Sequence, residues 1–396
     1  MRRIPPNSIL EIILLILIGS VTAGCTSQKD KPGDASAKDM IVVTDLAGRQ
    51  VSIGQPVKRI VLMRSLCMYE LATVLGDETA ERLVGWDSSL QSGDHDAYEK
   101  FVKRFPSLAN TTVLGDVLKD AVSAESVIAL KPDLVILNTY MKQRNSKGLE
   151  RLENAGVPIL YLEFDDPFRD PQRSIRLLGK VLGKEQRANE AAQWVDAQLA
   201  PVLAQQKTLA GKVPSLYMEA GTYGASKYGN TFGSNEQGKI ANWASVMSQL
   251  RCHNIASGTV TGMYGLGVIR PEYLLSENPD VVVFTGANWT AFPDSLRLGY
   301  YAEKEAAQSA LHRFGQRSGW SDLRSVKKGQ VYGIHTRFGS HITSFAAAQQ
   351  LSKWLYPGEF SALDPEESLR QFHQKFLPIE FSGTWMVSWE GSATGE

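Results

Sequence analysis

The feature that most constrains the fold of this chain is a pattern that occurs twice, at Ser123–Leu137 and at Arg270–Phe284. In each copy a glutamate opens an apolar stretch with helical spacing, a Pro-Asp pair follows, and a run of apolar residues comes next. Proline interrupts a helix, and an apolar run without polar alternation is typical of a strand covered on both faces. The pattern therefore predicts the same short helix and buried strand in each half of the chain. This order is common in α/β proteins, so coincidence is the alternative.

Helices and strands alternate along the rest of the sequence, which predicts parallel sheets covered by helices. Between the two copies, apolar residues at three- and four-residue steps predict a long amphipathic helix over Lys184–Ala210, which Pro201 should kink or end early. A polar loop is predicted at Asp87–Asp94 and a helix at Glu236–Leu250. We predict an α/β fold in which two Rossmann-like lobes with parallel-rich sheets are joined by the long helix, with a ligand cleft between the lobes.

The N-terminus has the three parts of a secretion signal. Arg2 and Arg3 precede an apolar segment, Ile9–Val21, that is too short to span a bilayer, and Thr22-Ala23-Gly24-Cys25 follows. This ending resembles the lipobox of bacterial lipoproteins, which implies that Cys25 receives a lipid; a plain signal peptide or an uncleaved anchor is the alternative. Residues 26–39 lack aromatic and β-branched apolar residues, so they are predicted to form a flexible tether. The folded part is therefore expected outside the cytoplasmic membrane and close to it.

The segments predicted from these features are consecutive. They are a signal peptide with lipobox (1–25), the tether (26–39), an N-terminal α/β lobe (40–173), an interlobe helical segment (174–210), a C-terminal α/β lobe (211–378) and a C-terminal tail (379–396).

Composition and motifs argue against several classes of function. The chain has 42 basic and 42 acidic residues and no basic block interleaved with aromatics, so nucleic acid is not an expected partner. The sequence contains no nucleophile elbow, zinc-protease helix or phosphate-binding loop, so an enzyme is not expected. The six histidines lack zinc-site spacing, so no resident metal or cofactor is expected. Cys67 and Cys252 fall one in each predicted lobe and are expected to be free thiols.

Side chains that follow predicted strands are the candidate binding residues, because ligands of open parallel sheets bind beyond the carboxyl ends of the strands. Aromatic rings supply contact area and guanidinium groups bind carboxylates and similar anions; capping of the core is the alternative role for each aromatic. Arg64 and Arg337, one from each lobe, are expected to hold an anionic ligand together. The full set predicted for one cleft is Arg64, Tyr69, Trp86, Tyr140, Lys142, Tyr223, Trp289, His335 and Arg337.

The sequence resembles the substrate-binding lipoproteins of ABC importers for iron chelates, haem and cobalamin. Besides the lipobox-like start, the resemblance lies in D-L-A-G-R-Q-V with R-I-V-L, A-L-K-P-D-L-V-I, N-P-D-V-V-V-F, S-V-K-K-G-Q-V-Y and L-S-K-W-L-Y-P-G-E-F, in the order of that family. These motifs cover nearly the whole mature chain, from Ile41 to Phe376. The resemblance implies two α/β lobes joined by one rigid helix, and a monomer that delivers its ligand to an ABC permease dimer with its ATPase subunits. It also implies that Glu125 and Glu272, one in each lobe, dock onto arginine pockets of the permease.

The resemblance leaves the ligand open. An iron(III) chelate of the siderophore type is expected first, and haem, a corrinoid such as cobalamin, or an oxyanion such as molybdate are the alternatives. A different class, an enzyme or cluster carrier on nitrogenase-like twin lobes, would need several cysteines in each lobe. A zinc or manganese binding protein would need converging histidines and carboxylates. Neither pattern occurs in the sequence.

Overall fold

The structure is a computed structural model that describes residues 39–116, 121–142, 146–234, 238, 240, 242–260, 262 and 265–389. The predicted signal peptide, Cys25 and all but the last residue of the predicted tether lie outside these residues. Within the described part, no helix combines the length and the apolarity that crossing a bilayer requires.

The first lobe contains a hairpin and a parallel sheet of five strands. The strands are β1 (Met40–Thr44) and β2 (Gln50–Gly54) in the hairpin, then β3 (Ile60–Leu62), β4 (Leu83–Asp87), β5 (Thr112–Leu114), β6 (Leu134–Asn138) and β7 (Ile159–Leu162). The sheet order is β5-β4-β3-β6-β7. Along β3, Ile60 and Leu62 belong to one core cluster and Val61 to another, so both faces of the sheet are buried. The strands are apolar without alternation because both faces of the sheet are buried, as expected of parallel strands.

Seven helices accompany this sheet among the described residues. They are α1 (Met68–Leu75), α2 (Thr79–Arg82), α3 (Ser89–Gly93), α4 (His95–Arg104), α5 (Ala124–Ala129), α6 (Thr139–Lys142) and α7 (Lys147–Asn154). The prediction of a polar loop at Asp87–Asp94 was wrong, because α3 occupies most of this segment and α4 begins directly after it. The apolar pattern of α4 is sparse, since only Ala97 and Phe101 are fully buried apolar residues in it.

Two antiparallel-packed segments connect the lobes, and the second is the predicted long helix. Helix α8 (Asp170–Leu182) packs on α9 (Glu185–Thr208), which also contacts α1 of the first lobe and α14 (Phe345–Leu355) of the second. Helix α9 continues through Pro201, so this proline does not end it. A Cβ at Gly179 would lie 2.4 Å from the Ala188 side chain, and the glycine thus permits the close approach of α8 and α9.

The second lobe has a mixed sheet. Its strands are β8 (Ser215–Ala220), β9 (Thr231–Phe232), β10 (His253–Asn254), β11 (Leu266–Gly267), β12 (Val281–Gly286), β13 (Val331–His335) and β14 (Met386–Ser388), in the order β11-β9-β8-β12-β13-β14 with β10 beside β8. The pairs among β8, β10, β12 and β13 are parallel. The segment predicted as a tail from residue 379 contributes β14, which pairs antiparallel with β13.

The helices of the second lobe are α10 (Trp243–Ser248), α11 (Pro271–Glu277), α12 (Lys304–Gly315), α13 (Arg324–Lys327), the α14 already given and α15 (Pro365–Phe376). Helix α10 is shorter than the predicted Glu236–Leu250, part of which lies outside the described residues.

The repeated unit is confirmed as α5 followed by β6 and α11 followed by β12. The aspartate of each Pro-Asp pair has the same role. Asp133 accepts hydrogen bonds from the backbone N–H groups of Lys58 and Arg59 just before β3, and Asp280 accepts from the N–H of Ser215 at the start of β8. Each aspartate therefore connects the start of its own strand to the start of the neighbouring strand. This shared role explains why a Pro-Asp pair precedes both β6 and β12.

Candidate functional site

One cavity of about 520 Å³ opens between the two lobes. The first lobe lines it with residues that follow β3, β6 and β7, and the second lobe with residues of β9, β11 and α10 and with those that follow β13. Lining residues of the first lobe include Arg64, Asn138, Tyr140, Glu163 and Phe164, and those of the second include Phe232, Trp243, Leu266, Arg337 and His341. The cavity lies where open parallel sheets bind ligands, beyond the carboxyl ends of the strands.

Two arginines from opposite lobes share this cavity. Arg64 follows β3 and Arg337 follows β13, and neither forms an ion pair with any described carboxylate. Arg337 is half-buried and its Nη2 donates to the Gly93 carbonyl oxygen at 3.2 Å. Burial lowers the pKa of Arg337 to about 10, a shift that Asp94 opposes and the neighbouring Arg64 increases. The guanidinium groups thus repel each other, and an anion between them would relieve the repulsion.

Aromatic and polar side chains complete the walls. Phe164 and Trp243 face the cavity from the two lobes, and Tyr140 follows β6. The Oε atoms of Glu163 accept from the Thr139 hydroxyl at 2.7 Å and from the Phe164 N–H at 2.9 Å, so this carboxylate is held by two neighbouring segments of the first lobe, which follow β6 and β7. The cavity therefore offers apolar contact area around a cationic pair.

Three of the predicted cleft residues lie in the core instead of the cavity. Tyr69 and Trp86 are each 2% exposed and His335 is fully buried. Tyr69 lies in the first turn of α1, which turns its ring inward to the ring of Phe101. The ring of His335 packs against that of Trp385, with centroids 4.5 Å apart. These side chains therefore have the alternative role, which is packing in the core.

Three other predicted residues lie away from the cavity lining. Lys142 is exposed at the end of α6, and the ring of Tyr223 packs edge-on against that of Phe292 with centroids 5.3 Å apart. Trp289 is half-buried in the loop after β12. Of the nine predicted cleft residues, the structure therefore brings Arg64, Tyr140 and Arg337 to the cavity.

The loop after β12 misses the cavity because it forms a seam with the first lobe. The His95 N–H donates to the Asn288 carbonyl at 3.0 Å, and the Thr290 N–H donates to the Ser92 carbonyl at 3.2 Å. The buried carboxylate of Asp96 accepts from Asn288 Nδ2 and from Arg297 Nη2, both at 2.7 Å. These hydrogen bonds join the lobes directly on this side.

Sequence reasoning missed His341, Trp243 and Phe164 as lining residues. Phe164 ends a predicted strand, so the rule that selected Arg64 would have selected it too. Trp243 lies within a predicted helix and offered no such signal. His341 stands out only through its hydrogen bond to Glu70, which lies 271 positions away in the sequence.

A ligand-sized cavity between two lobes with parallel-rich sheets, lined from both lobes, is typical of a solute-binding protein of the periplasmic type. The chain belongs to the periplasmic binding protein family, whose sequence profile matches residues 118–337.

Individual relatives agree with this assignment. An uncharacterized ABC transporter substrate-binding lipoprotein of Bacillus subtilis, YvrC, is 24% identical over 361 residues, which is 87% of this chain and 96% of that protein. The TroA-like periplasmic binding protein FepB of Veillonella parvula is 31% identical, with a TM-score of 0.80 over 88% of this chain and 99% of that structure. The molybdate-binding protein MolA of Haemophilus influenzae, in its molybdate-bound structure, is 20% identical with a TM-score of 0.63 over 87% of this chain and 99% of that structure, and shows the same fold.

The chain is therefore an extracytoplasmic substrate-binding protein of an ABC transporter and not an enzyme. Its partners are the permease and ATPase subunits of that transporter.

Proposed function

We propose that this protein captures an anionic iron(III) chelate of the siderophore type and delivers it to the permease of an ABC importer. The observation that carries the proposal is the pair Arg64 and Arg337, which line one cavity from opposite lobes without an ion-pair partner among the described residues. A ligand with acidic oxygens on two sides would bind both guanidinium groups. Such charge-assisted hydrogen bonds are the strong ones in proteins.

The size of the cavity supports a chelate over a bare ion. Its volume of about 520 Å³ lies in the range of pockets for drug-sized ligands. A tetrahedral oxyanion is far smaller and would leave the aromatic walls without contact. Among the described residues, no group of three or more His, Cys, Asp or Glu side chains could hold a metal ion. A metal bound here would therefore arrive with its own ligands.

The proposal is tested by purifying the protein from its native host and recording a mass spectrum under native conditions together with an absorption spectrum. We expect a bound small molecule with the charge-transfer band of a ferric complex. A Soret band would identify haem instead, and a corrin spectrum would identify a cobalamin. Molybdenum without an organic ligand would contradict the chelate assignment.

We further propose that Cys25 is lipidated, a proposal supported by the similarity to the Bacillus subtilis lipoprotein YvrC. Cells that express the full chain should incorporate labelled palmitate into it, and a Cys25→Ser variant should lose the label. A mature N-terminal peptide that begins at any other residue would contradict this proposal.

Glu125 and Glu272 are proposed to dock onto the permease. Both are exposed and lie in the first turn of the equivalent helices α5 and α11. Glu125 has a local role as well: its backbone N–H and the Ser123 hydroxyl lower its pKa, as expected for a carboxylate at a helix N-terminus. Local helix stabilisation would explain either glutamate alone. It explains less well why both lobes carry the acid at the same step of the repeated unit.

The double variant Glu125→Ala, Glu272→Ala should therefore reduce uptake while ligand affinity stays unchanged. Rim charges act mainly on association rate and its salt dependence, so the difference in uptake between the native protein and the double variant should shrink as rising ionic strength screens the native charges. Transport in reconstituted vesicles measures it, and Glu305→Ala, at the exposed first turn of α12, is a matched control. Normal transport combined with a lower melting temperature would assign both glutamates to helix stability alone.

A further inference from the structure

Two buried aspartates of the first lobe face polar and basic groups of the second lobe. Asp94 directly precedes α4, Asp96 lies in its first turn, and both are fully buried. Oδ1 of Asp96 accepts from Asn288 Nδ2 and from Arg297 Nη2, both at 2.7 Å. Its Oδ2 accepts from the Tyr301 N–H at 3.3 Å. These donors all belong to the second lobe, so a buried carboxylate of one lobe depends on the other lobe for its partners.

Asp94 is paired across the lobes as well. Its Oδ2 lies 3.7 Å from Nε2 of His335, a buried residue of the second lobe. Burial alone would raise the pKa of Asp94, but the pKa is lowered, because His335 and Arg337 of the second lobe favour the charged carboxylate. The first lobe thus supplies acids and the second lobe supplies their partners. We call this group the clasp, and its members are Asp94, Asp96, Asn288, Arg297 and His335.

The clasp opposes a repulsion that the cavity itself creates. Arg64 of the first lobe and Arg337 of the second are like charges that repel each other, which favours separation of the lobes when the cavity is empty. The clasp joins the same two lobes through opposite charges, with Asp96 Oδ1 2.7 Å from Arg297 Nη2. Separation of the lobes would break this ion pair. Attraction across the clasp therefore offsets repulsion across the cavity.

We infer that Asp94 and Asp96 are positioning residues, which keep Arg64 and Arg337 at the separation that one anionic chelate spans. The inference rests on the proposed function. Neither aspartate lines the cavity, so both act through the position of the lobes and not through contact with the ligand. A ligand that needs both arginines binds only molecules whose lobes are closed, and its apparent affinity falls in proportion to that fraction.

The test is a cycle of variants with two anionic probes, the ferric complexes of a tris-catechol and of citrate. Asp96→Asn removes the charge at nearly constant volume. It should weaken binding by about tenfold or more, as expected if about one molecule in ten stays closed. In the Arg64→Ala background the repulsion is absent and the probe contacts one arginine only, so the same substitution should cost less than about threefold. A purely structural defect in α4 would weaken binding equally in both backgrounds.

Two further variants serve as a counterpart and a control. Arg297→Gln removes the same ion pair from the second lobe and should reproduce the effect of Asp96→Asn. Glu99→Gln removes an exposed acid from the same helix, one that pairs with His95 and not with the second lobe, and should bind the probes as the native protein does. Melting temperatures establish that each variant is folded.

Hydrogen exchange tests the clasp without a ligand. The N–H groups of His95 and Thr290 donate to carbonyl oxygens of the opposite lobe at 3.0 and 3.2 Å. They should exchange slowly in the native protein and at least about tenfold faster in Asp96→Asn, because exchange follows the local opening of the seam. Adding Arg64→Ala to Asp96→Asn should slow them again, since it removes the repulsion that opens the seam.

The outcomes separate this inference from the proposed function. Unchanged exchange of both amides in Asp96→Asn, or an equal loss of affinity in both backgrounds, would overturn the positioning role and leave the proposed function intact. Failure of the native protein to bind either ferric probe would overturn the proposed function, and with it the role of the clasp in binding.

Discussion

Replacing Arg64 and Arg337 together with alanine should weaken binding of the native-host chelate by at least a factor of about 30 to several thousand, because the loss of one contact to a buried charge already costs about 2 to 5 kcal/mol. The two guanidinium groups approach from opposite lobes, so a single substitution leaves the anion held on one side only. Titration by tryptophan fluorescence quenching or calorimetry measures the loss.

The ligand-free protein supplies the control for this prediction. Arg64 lowers the pKa of Arg337 because the two cations repel each other, so the single variant Arg64→Ala should not lower the melting temperature. Arg176→Ala removes an exposed arginine that pairs with Asp196 at 2.7 Å outside the cavity, and it should leave affinity unchanged. Arg337→Lys keeps the charge without the planar fork and should recover part of the affinity. Equal affinity of the double variant and the native protein would remove the basis for an anionic ligand.

The sequence predicted those elements whose signal is local. The apolar runs of β3, β6 and β12 identified buried parallel strands, and the Pro-Asp pairs fixed where two of them begin. The rule that ligands bind beyond strand ends placed Arg64, Tyr140 and Arg337 correctly at the cavity, although their role in binding stays a prediction.

The same rule failed where packing between lobes decides the position of a side chain. The loop after β12 also follows a strand, but its hydrogen bonds to residues 92–96 of the first lobe draw it into the seam, and Trp289 goes with it. Tyr69 lies just after β3 as Arg64 does, yet α1 begins at Met68 and turns the ring into the core. The pairing of Glu70 with His341 leaves no mark in either local sequence, so only the folded structure reveals it.

The second large effect concerns the stability of the second lobe, where Arg317 and Glu219 form a buried ion pair. Arg317 Nη1 and Nη2 lie 2.8 and 2.9 Å from Oε2 and Oε1 of Glu219, whose side chain is fully buried. Glu219 also accepts from the Tyr217 hydroxyl at 2.7 Å and from the Gly229 N–H at 2.8 Å. Arg317 further donates to three carbonyl oxygens of the loop that follows β8, those of Gly224, Ala225 and Lys227. One guanidinium thus neutralises a buried carboxylate and fastens this loop.

Arg317→Ala should lower the free energy of unfolding by about 3 to 5 kcal/mol, because Glu219 then remains charged in the core without a partner. The midpoint of guanidinium unfolding, compared at equal slope, measures the loss. Removing both charges with Arg317→Met and Glu219→Gln keeps an acceptor for Tyr217 and Gly229 and should recover more than half of it, since the cost lies mainly in the unpaired charge. Arg176→Ala, which breaks the exposed pair with Asp196, should cost at most about 1 kcal/mol. If Arg317→Ala cost no more than Arg176→Ala, the unpaired charge of Glu219 would not carry the expected penalty. If the double variant were as unstable as Arg317→Ala alone, the loss would have to come from the contacts of Arg317 with the loop carbonyls and not from the carboxylate that it neutralises.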